Sequence, residues 1–223
     1  MRRFFDVDSP FMSGLNKMAD MMILNLVTLV CCLPVITAGA ALTALHYVSL
    51  KLVRNEETYI LKQFFKSFTQ NFKQATVIWL IKLLIAFLFV IDYKIAVDSQ
   101  VSLPFWVVIG LFAVTIIVFA LGLHAFPLLA KFDNTVLATI KNSVLVGMLI
   151  FPKTIVMVIC WAVPVIIVAG FPEVWPIVIL FGFSAPALVM ALLYNKTFKK
   201  FEPEPEKAAG DEWTLEPIED VNE

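Results

Sequence analysis

The chain has 223 residues, 60% of them hydrophobic and 16% charged, with a mean hydropathy of +0.87. A soluble domain carries roughly 45–50% apolar and about 25% charged residues, so a water-soluble globular domain is excluded and an integral membrane protein is expected. The net charge of −1 hides an asymmetry: nine of the 18 acidic residues lie between Glu202 and Glu223, which leaves residues 1–201 with 16 Lys+Arg against nine Asp+Glu.

The opening MRRFFDVDSP carries charges and a proline where a secretory signal would have a short apolar core, so targeting is expected to come from the spans themselves. Ser9 followed by Pro10 reads as an N-cap with proline at the first helical position, starting a helix that Pro34 would end. Thr37 is placed to cap a second helix from Ala38 or Gly39 to about Arg54, and Gly39, Ala40, Thr43 and Ala44 give it a small-residue surface for close helix contact. A single crossing of this stretch would leave Arg2 and Arg3 outside, against the positive-inside rule, whereas a double crossing puts them inside. The expectation is a hairpin of two spans, 10–33 and 38–54, with its Pro34–Thr37 tip facing outward.

Next comes NEETYILKQFFKSFTQNFKQA, in which Leu61, Phe64, Phe65, Phe68 and Phe72 recur at helical spacing with lysines mostly turned away. It is expected to lie as an amphipathic helix in the cytoplasmic headgroup layer, with docking of a partner as the competing role. Spans follow at 75–97, 103–129, 154–170 and 174–194, each near the roughly 20 residues a crossing helix needs. A second amphipathic helix is expected within FDNTVLATIKNSVLVGMLIFPK. Lysines and Arg54 concentrate in the 51–73 and 131–153 loops and after the last span, which places those loops and both chain ends in the cytoplasm. Trp106 and Trp175 fit an outer aromatic belt. The predicted fold is therefore an all-α polytopic transmembrane bundle of six spans, or five if the opening crosses once, with two cytoplasmic amphipathic helices in a plasma membrane. Residues 201–223 read as a disordered acidic tail, with Trp213 and Leu215 as the core of a docking segment in the competing reading.

A shift of 78 places overlays His46 on His124, Leu50 on Leu128 and Thr76 on Thr154, so each copy reads as an inward helix, a cytoplasmic helix and an outward helix. Parallel repeats of that kind occur in membrane proteins, although the side-chain identity here is thin.

No catalytic constellation is present: the chain lacks a P-loop, a dinucleotide-type glycine fingerprint, HExxH and GxSxG. Cys31, Cys32 and Cys160 are an odd count without metal-type spacing, so neither a disulfide framework nor a metal site is expected, and no cofactor. Ionisable residues within spans are costly and are candidates for function. Asp20 and Lys82 fall at comparable depth and form a candidate intramembrane charge pair. His46 and His124, each alone on an apolar helix face, are candidate polar intramembrane residues, and they form a pair only if the repeat brings them together across its axis. Pro127, Pro164 and Pro186 fall inside spans, where proline frees backbone carbonyls. The bilayer is the expected partner; nucleic acid is not.

The run from FFDVDSPFM through LPVITAGA to VRNEE, together with FPLLAKFDNTVLATIKNS further on, resembles the YesL family of bacterial membrane proteins of unknown function. The resemblance extends over nearly everything before the acidic tail, which departs from the shared core. It implies a bacterial plasma-membrane protein associated with sugar uptake and polysaccharide degradation, and it carries no catalytic residues across. The expectation it supports is a non-enzymatic accessory protein of carbohydrate uptake or sensing, partnered by an ABC-transporter permease or a membrane sensor kinase. The alternative is a small secondary transporter or exporter.

Overall fold

A computed structural model describes residues 10–56, 59–97 and 104–200. The Ser9 cap, the 98–103 connection and the tail with Trp213 and Leu215 lie outside the described residues. Those described form nine α-helices: α1 Pro10–Cys32, α2 Ala38–Val53, α3 Ile60–Val97, α4 Phe105–Gly122, α5 Ala125–Lys131, α6 Val136–Leu149, α7 Phe151–Gly170, α8 Trp175–Phe181 and α9 Ser184–Phe198. Four stretches, in α1, α2, α3 and α7, are long and apolar enough to cross a membrane, and a fifth if the bent pair α8–α9 counts as one span. Large apolar side chains stand exposed along all of these except the buried α2.

The α1–α2 hairpin forms with nearly the boundaries its sequence predicts. Pro34 stops α1, and a single 3-10 turn, Val35–Thr37, reverses the chain. Thr37 does not cap α2 as expected. Its Oγ1 donates to the carbonyls of Cys31 at 2.6 Å and Pro34 at 2.8 Å, closing the end of α1. α2 is capped by Arg54 and followed by Asn55, whose φ of 53° is the left-handed conformation favoured just past a helix C-cap. Lys17 on α1 donates to the Asn55 carboxamide at 2.9 Å and fixes the open end of the hairpin.

The expected cytoplasmic helix and third span are one helix. α3 runs 38 residues without interruption, about 57 Å at 1.5 Å per residue, because no proline or glycine separates Leu61 from Val97. The expected span 103–129 is instead broken, and so is 174–194, each four residues before a proline. A proline ring clashes with the carbonyl four residues earlier. For Pro127 that carbonyl is Leu123, and the chain turns at Leu123–His124 between α4 and α5; for Pro186 it is Gly182, and α8 meets α9 at 54°. Pro164 lies within α7, which continues past it. Pro152, lacking an N–H, opens α7 rather than extending α6.

α2 is the centre of the molecule. Its residues from Ala38 to Leu50 are buried except Tyr47, and it packs against α1, α3, α5 and α9. Gly39 permits the tightest of these approaches, since a Cβ there would sit 2.5 Å from the Ala75 carbonyl oxygen and 2.6 Å from Trp79 Cβ on α3. Arg54 donates to the Asn195 carboxamide at 2.9 Å, and Lys153 to the Leu193 carbonyl and Thr197 hydroxyl, both at 3.2 Å. The end of α2, the start of α7 and the end of α9 therefore share one basic end of the bundle, with Lys17 of α1 tied to Asn55 there.

Candidate functional site

The broken helices leave backbone groups without their own partners, and neighbouring spans supply replacements. At the α8–α9 bend the helical bond from Phe183 N–H to Ile179 C=O is replaced by the Asn25 carboxamide of α1. Asn25 Nδ2 donates to the Ile179 carbonyl at 2.6 Å, and Oδ1 accepts from the Phe183 and Ser184 N–H groups at 2.7 and 2.8 Å. At the α4–α5 break, Lys82 of α3 donates its Nζ to the Gly122 carbonyl at 3.0 Å and lies 4.5 Å from the centre of the Phe126 ring. A cation on an aromatic face, shielded from water, is stabilised by the ring quadrupole.

Lys82 is thus engaged with a helix end and an aromatic face, and it makes no ion pair with Asp20. Asp20 stands half-buried on α1. The expected charge pair is not formed, because the proline-made break presents a free carbonyl within reach of the amine. Asn25, which the sequence reading passed over, carries the other break. It looks like any polar residue in an apolar run, and its partners lie more than 150 positions away.

The two histidines lie on elements that pack against each other, α2 and the start of α5. His46 sits on α2 at 2% exposure and His124 in the α4–α5 turn at 0%. Lys82, on the Gly122 carbonyl and the Phe126 ring, is held by the residues two before and two after His124. His124 Nε2 shares a 2.9 Å hydrogen bond with the Thr154 hydroxyl of α7, and that hydroxyl also reaches the Gly147 carbonyl at 3.1 Å. The Tyr194 hydroxyl of α9 donates to the His46 carbonyl at 3.4 Å, its ring edge-on to the imidazole. Nδ1 of each histidine is buried without a hydrogen-bond partner among the described residues, as are the hydroxyls of Ser49, Thr76 and Ser184. The His124–Thr154 bond is not repeated between His46 and Thr76, their counterparts at the 78-residue shift. Among the described residues, no three side chains of His, Cys, Asp or Glu converge as metal ligands would.

The amphipathic stretch at the start of α3 splits its apolar face. Phe64 is buried, Phe68 and Phe72 pack onto the core with it, and the rings of Phe64, Phe65, Phe68 and Phe72 contact one another in sequence. Leu61 and Phe65 remain exposed at 50% and 48%. Most of the face expected to rest on lipid is used inside the protein.

A sequence model of the family described as "Protein of unknown function, DUF624" matches residues 21–93, from the middle of α1 through α2 to the last turns of α3. The matched part holds Asn25, His46 and Lys82; His124 and Thr154 lie beyond it. No curated protein and no solved structure matches the chain.

Proposed function

We propose that the protein is a small secondary transporter without enzymatic activity, in which His46, His124 and Lys82 form a proton-handling centre. One observation carries the reading: inside an apolar bundle, two imidazole Nδ1 atoms are buried without partners among the described residues, and a lysine amine is bound at Gly122, two residues from one of them. Unpaired polar groups in such surroundings are costly, and an ionisable residue within the membrane is by default a candidate for function. The two proline-broken helices support it, since discontinuous spans line the substrate sites of many transporters. Their breaks are also where the bundle would move to give the imidazoles access to water. By the positive-inside rule the end bearing Lys17, Arg54 and Lys153 faces the cytoplasm, with both chain ends on that side. Protein reconstituted alone into liposomes with a trapped pH dye should collapse an imposed proton gradient, or move solute with it. His124→Gln should abolish that flux while the protein still elutes as wild type does. No flux under any imposed gradient overturns the reading.

The exposure of Leu61 and Phe65 on an otherwise packed helix favours a second reading, an accessory subunit of carbohydrate uptake or sensing. Stoichiometric co-purification of a permease or sensor kinase from native membranes, lost in the Leu61→Ser/Phe65→Ser variant, would establish it. Recovery of the protein alone would remove it.

A further inference from the structure

Two hollows meet at Asn134, in the turn between α5 and α6. The first, of about 720 Å³, is apolar. It runs between Leu128 and Phe132 on one side and Val146, Met148 and Leu149 of α6 on the other. The second, of about 550 Å³, is lined mainly by polar groups: Gln70, Asn71 and Gln74 of α3, Tyr47 of α2, and Asp133 beside Asn134. With Asn134 in both walls, the apolar hollow and the polar hollow adjoin.

Their placement matches the membrane boundary. Gln70 and Gln74 fall in the last turn before the apolar run of α3 begins at Ala75. The apolar hollow opens onto exposed Leu145, Met148 and Leu149, which continue the lipid-facing surface. An amphiphile seated there would keep its chain among apolar side chains and its headgroup among amides.

The lining also selects the headgroup. Asp133 and Lys131 bring one charge of each sign, so the polar hollow has no surplus of cations for an anionic phosphate. Gln70 and Gln74 make no hydrogen bond among the described residues, whereas the Asn71 amide is taken by Ser67. Each free carboxamide offers two donors and an acceptor, which suits adjacent hydroxyls that both give and receive hydrogen bonds. We propose that the two hollows bind one membrane lipid with an uncharged, polyhydroxylated headgroup. The hydroxyls pair with Gln70, Gln74 and Asn134, and an acyl chain lies between Phe132 and Leu149. The inference is independent of the transport reading, since His46, His124 and Lys82 line neither hollow.

The test is native mass spectrometry of the full chain in mild detergent with four probes: a monoglucosyl diacylglycerol, diacylglycerol, phosphatidylglycerol and methyl glucoside. The glucolipid should be retained about tenfold above phosphatidylglycerol and above either of its halves offered alone. The Gln70→Leu/Gln74→Leu variant should lower the glucolipid to the level of diacylglycerol, and Met148→Trp, which fills the trough, should weaken both lipids. Circular dichroism and elution unchanged from wild type certify both variants as folded. Equal retention of phosphatidylglycerol overturns the headgroup assignment. Methyl glucoside binding as well as the glucolipid shows a soluble-sugar site instead, and variants that bind like wild type remove the site altogether.

Discussion

Asn25 and Lys82 each answer a fault made by a proline in another span. Removing the Asn25 carboxamide strands the Ile179 carbonyl and the Phe183 and Ser184 N–H groups, and a stranded buried group costs about 1–3 kcal/mol. Asn25→Leu should therefore lower stability by at least about 2 kcal/mol in detergent unfolding. Adding Pro186→Ala should recover part of that loss, because the ring clash goes and Phe183 N–H can return to Ile179 C=O. A neutral Asn25→Leu would mean that the bend does not depend on this amide. For Lys82 the discriminating variant is the double one. Since the amine faces Gly122 and Phe126 rather than a carboxylate, Asp20→Asn and Lys82→Met should add within about 0.5 kcal/mol. A coupling well above that would restore the ion pair. Nothing in the local sequence revealed these roles, for a cap on another helix's break depends on contacts between segments 40 to 159 positions apart.

The helices show what a pattern can and cannot convey. The α1–α2 boundaries were legible because proline and small residues act locally on the backbone. The breaks in α4–α5 and α8–α9 do not follow from Pro127 and Pro186 alone, because Pro164 sits in the same kind of run within a continuous helix. Packing decides which proline breaks its span. The merging of 60–73 with 75–97 is not legible because a change from amphipathic to uniformly apolar sequence reads as a boundary, yet no residue there interrupts helical hydrogen bonding. The close approach of α2 to α3 was signalled by Gly39, and it yields a paired prediction. Gly39→Ala should destabilise by about 1–3 kcal/mol through overpacking against Ala75 and Trp79. Gly14→Ala on α1, where a Cβ meets nothing within 4 Å, should be neutral or stabilise by about 0.5–1 kcal/mol through helix propensity. Equal effects at the two sites in thermal unfolding would mean that the α2–α3 contact is looser than described.

The assembled bundle recasts how the opening apolar stretch meets the membrane. Trp79 Nε1 donates to the Val35 carbonyl at 2.7 Å, which holds the hairpin tip level with Trp79. The apolar run of α3 starts only four residues earlier at Ala75, and α3 continues 18 residues beyond Trp79 to Val97, about 27 Å at 1.5 Å per residue. If that run crosses a hydrocarbon core of about 30 Å, the tip stops far short of the outer surface. α2 alone, at 16 residues or about 24 Å, is also shorter than the core. The tip residues agree with this placement, since Leu33 is 79% exposed and Val35 and Ile36 are exposed beside it, an arrangement suited to acyl chains rather than water. The expected outcome is a re-entrant hairpin whose tip stays within the bilayer, not an outward-facing turn. In a variant lacking Cys31, Cys32 and Cys160, Ile36→Cys should resist a membrane-impermeant maleimide applied to intact cells, while Phe105→Cys, at the exposed start of α4, should react. Reaction of Ile36→Cys from outside would give the hairpin two full crossings and require the α3 run to sit deeper than its hydropathy indicates. Protection at position 36 with reaction at 105 would place the His46 end of α2 toward the cytoplasmic side, from which a proton must then reach it.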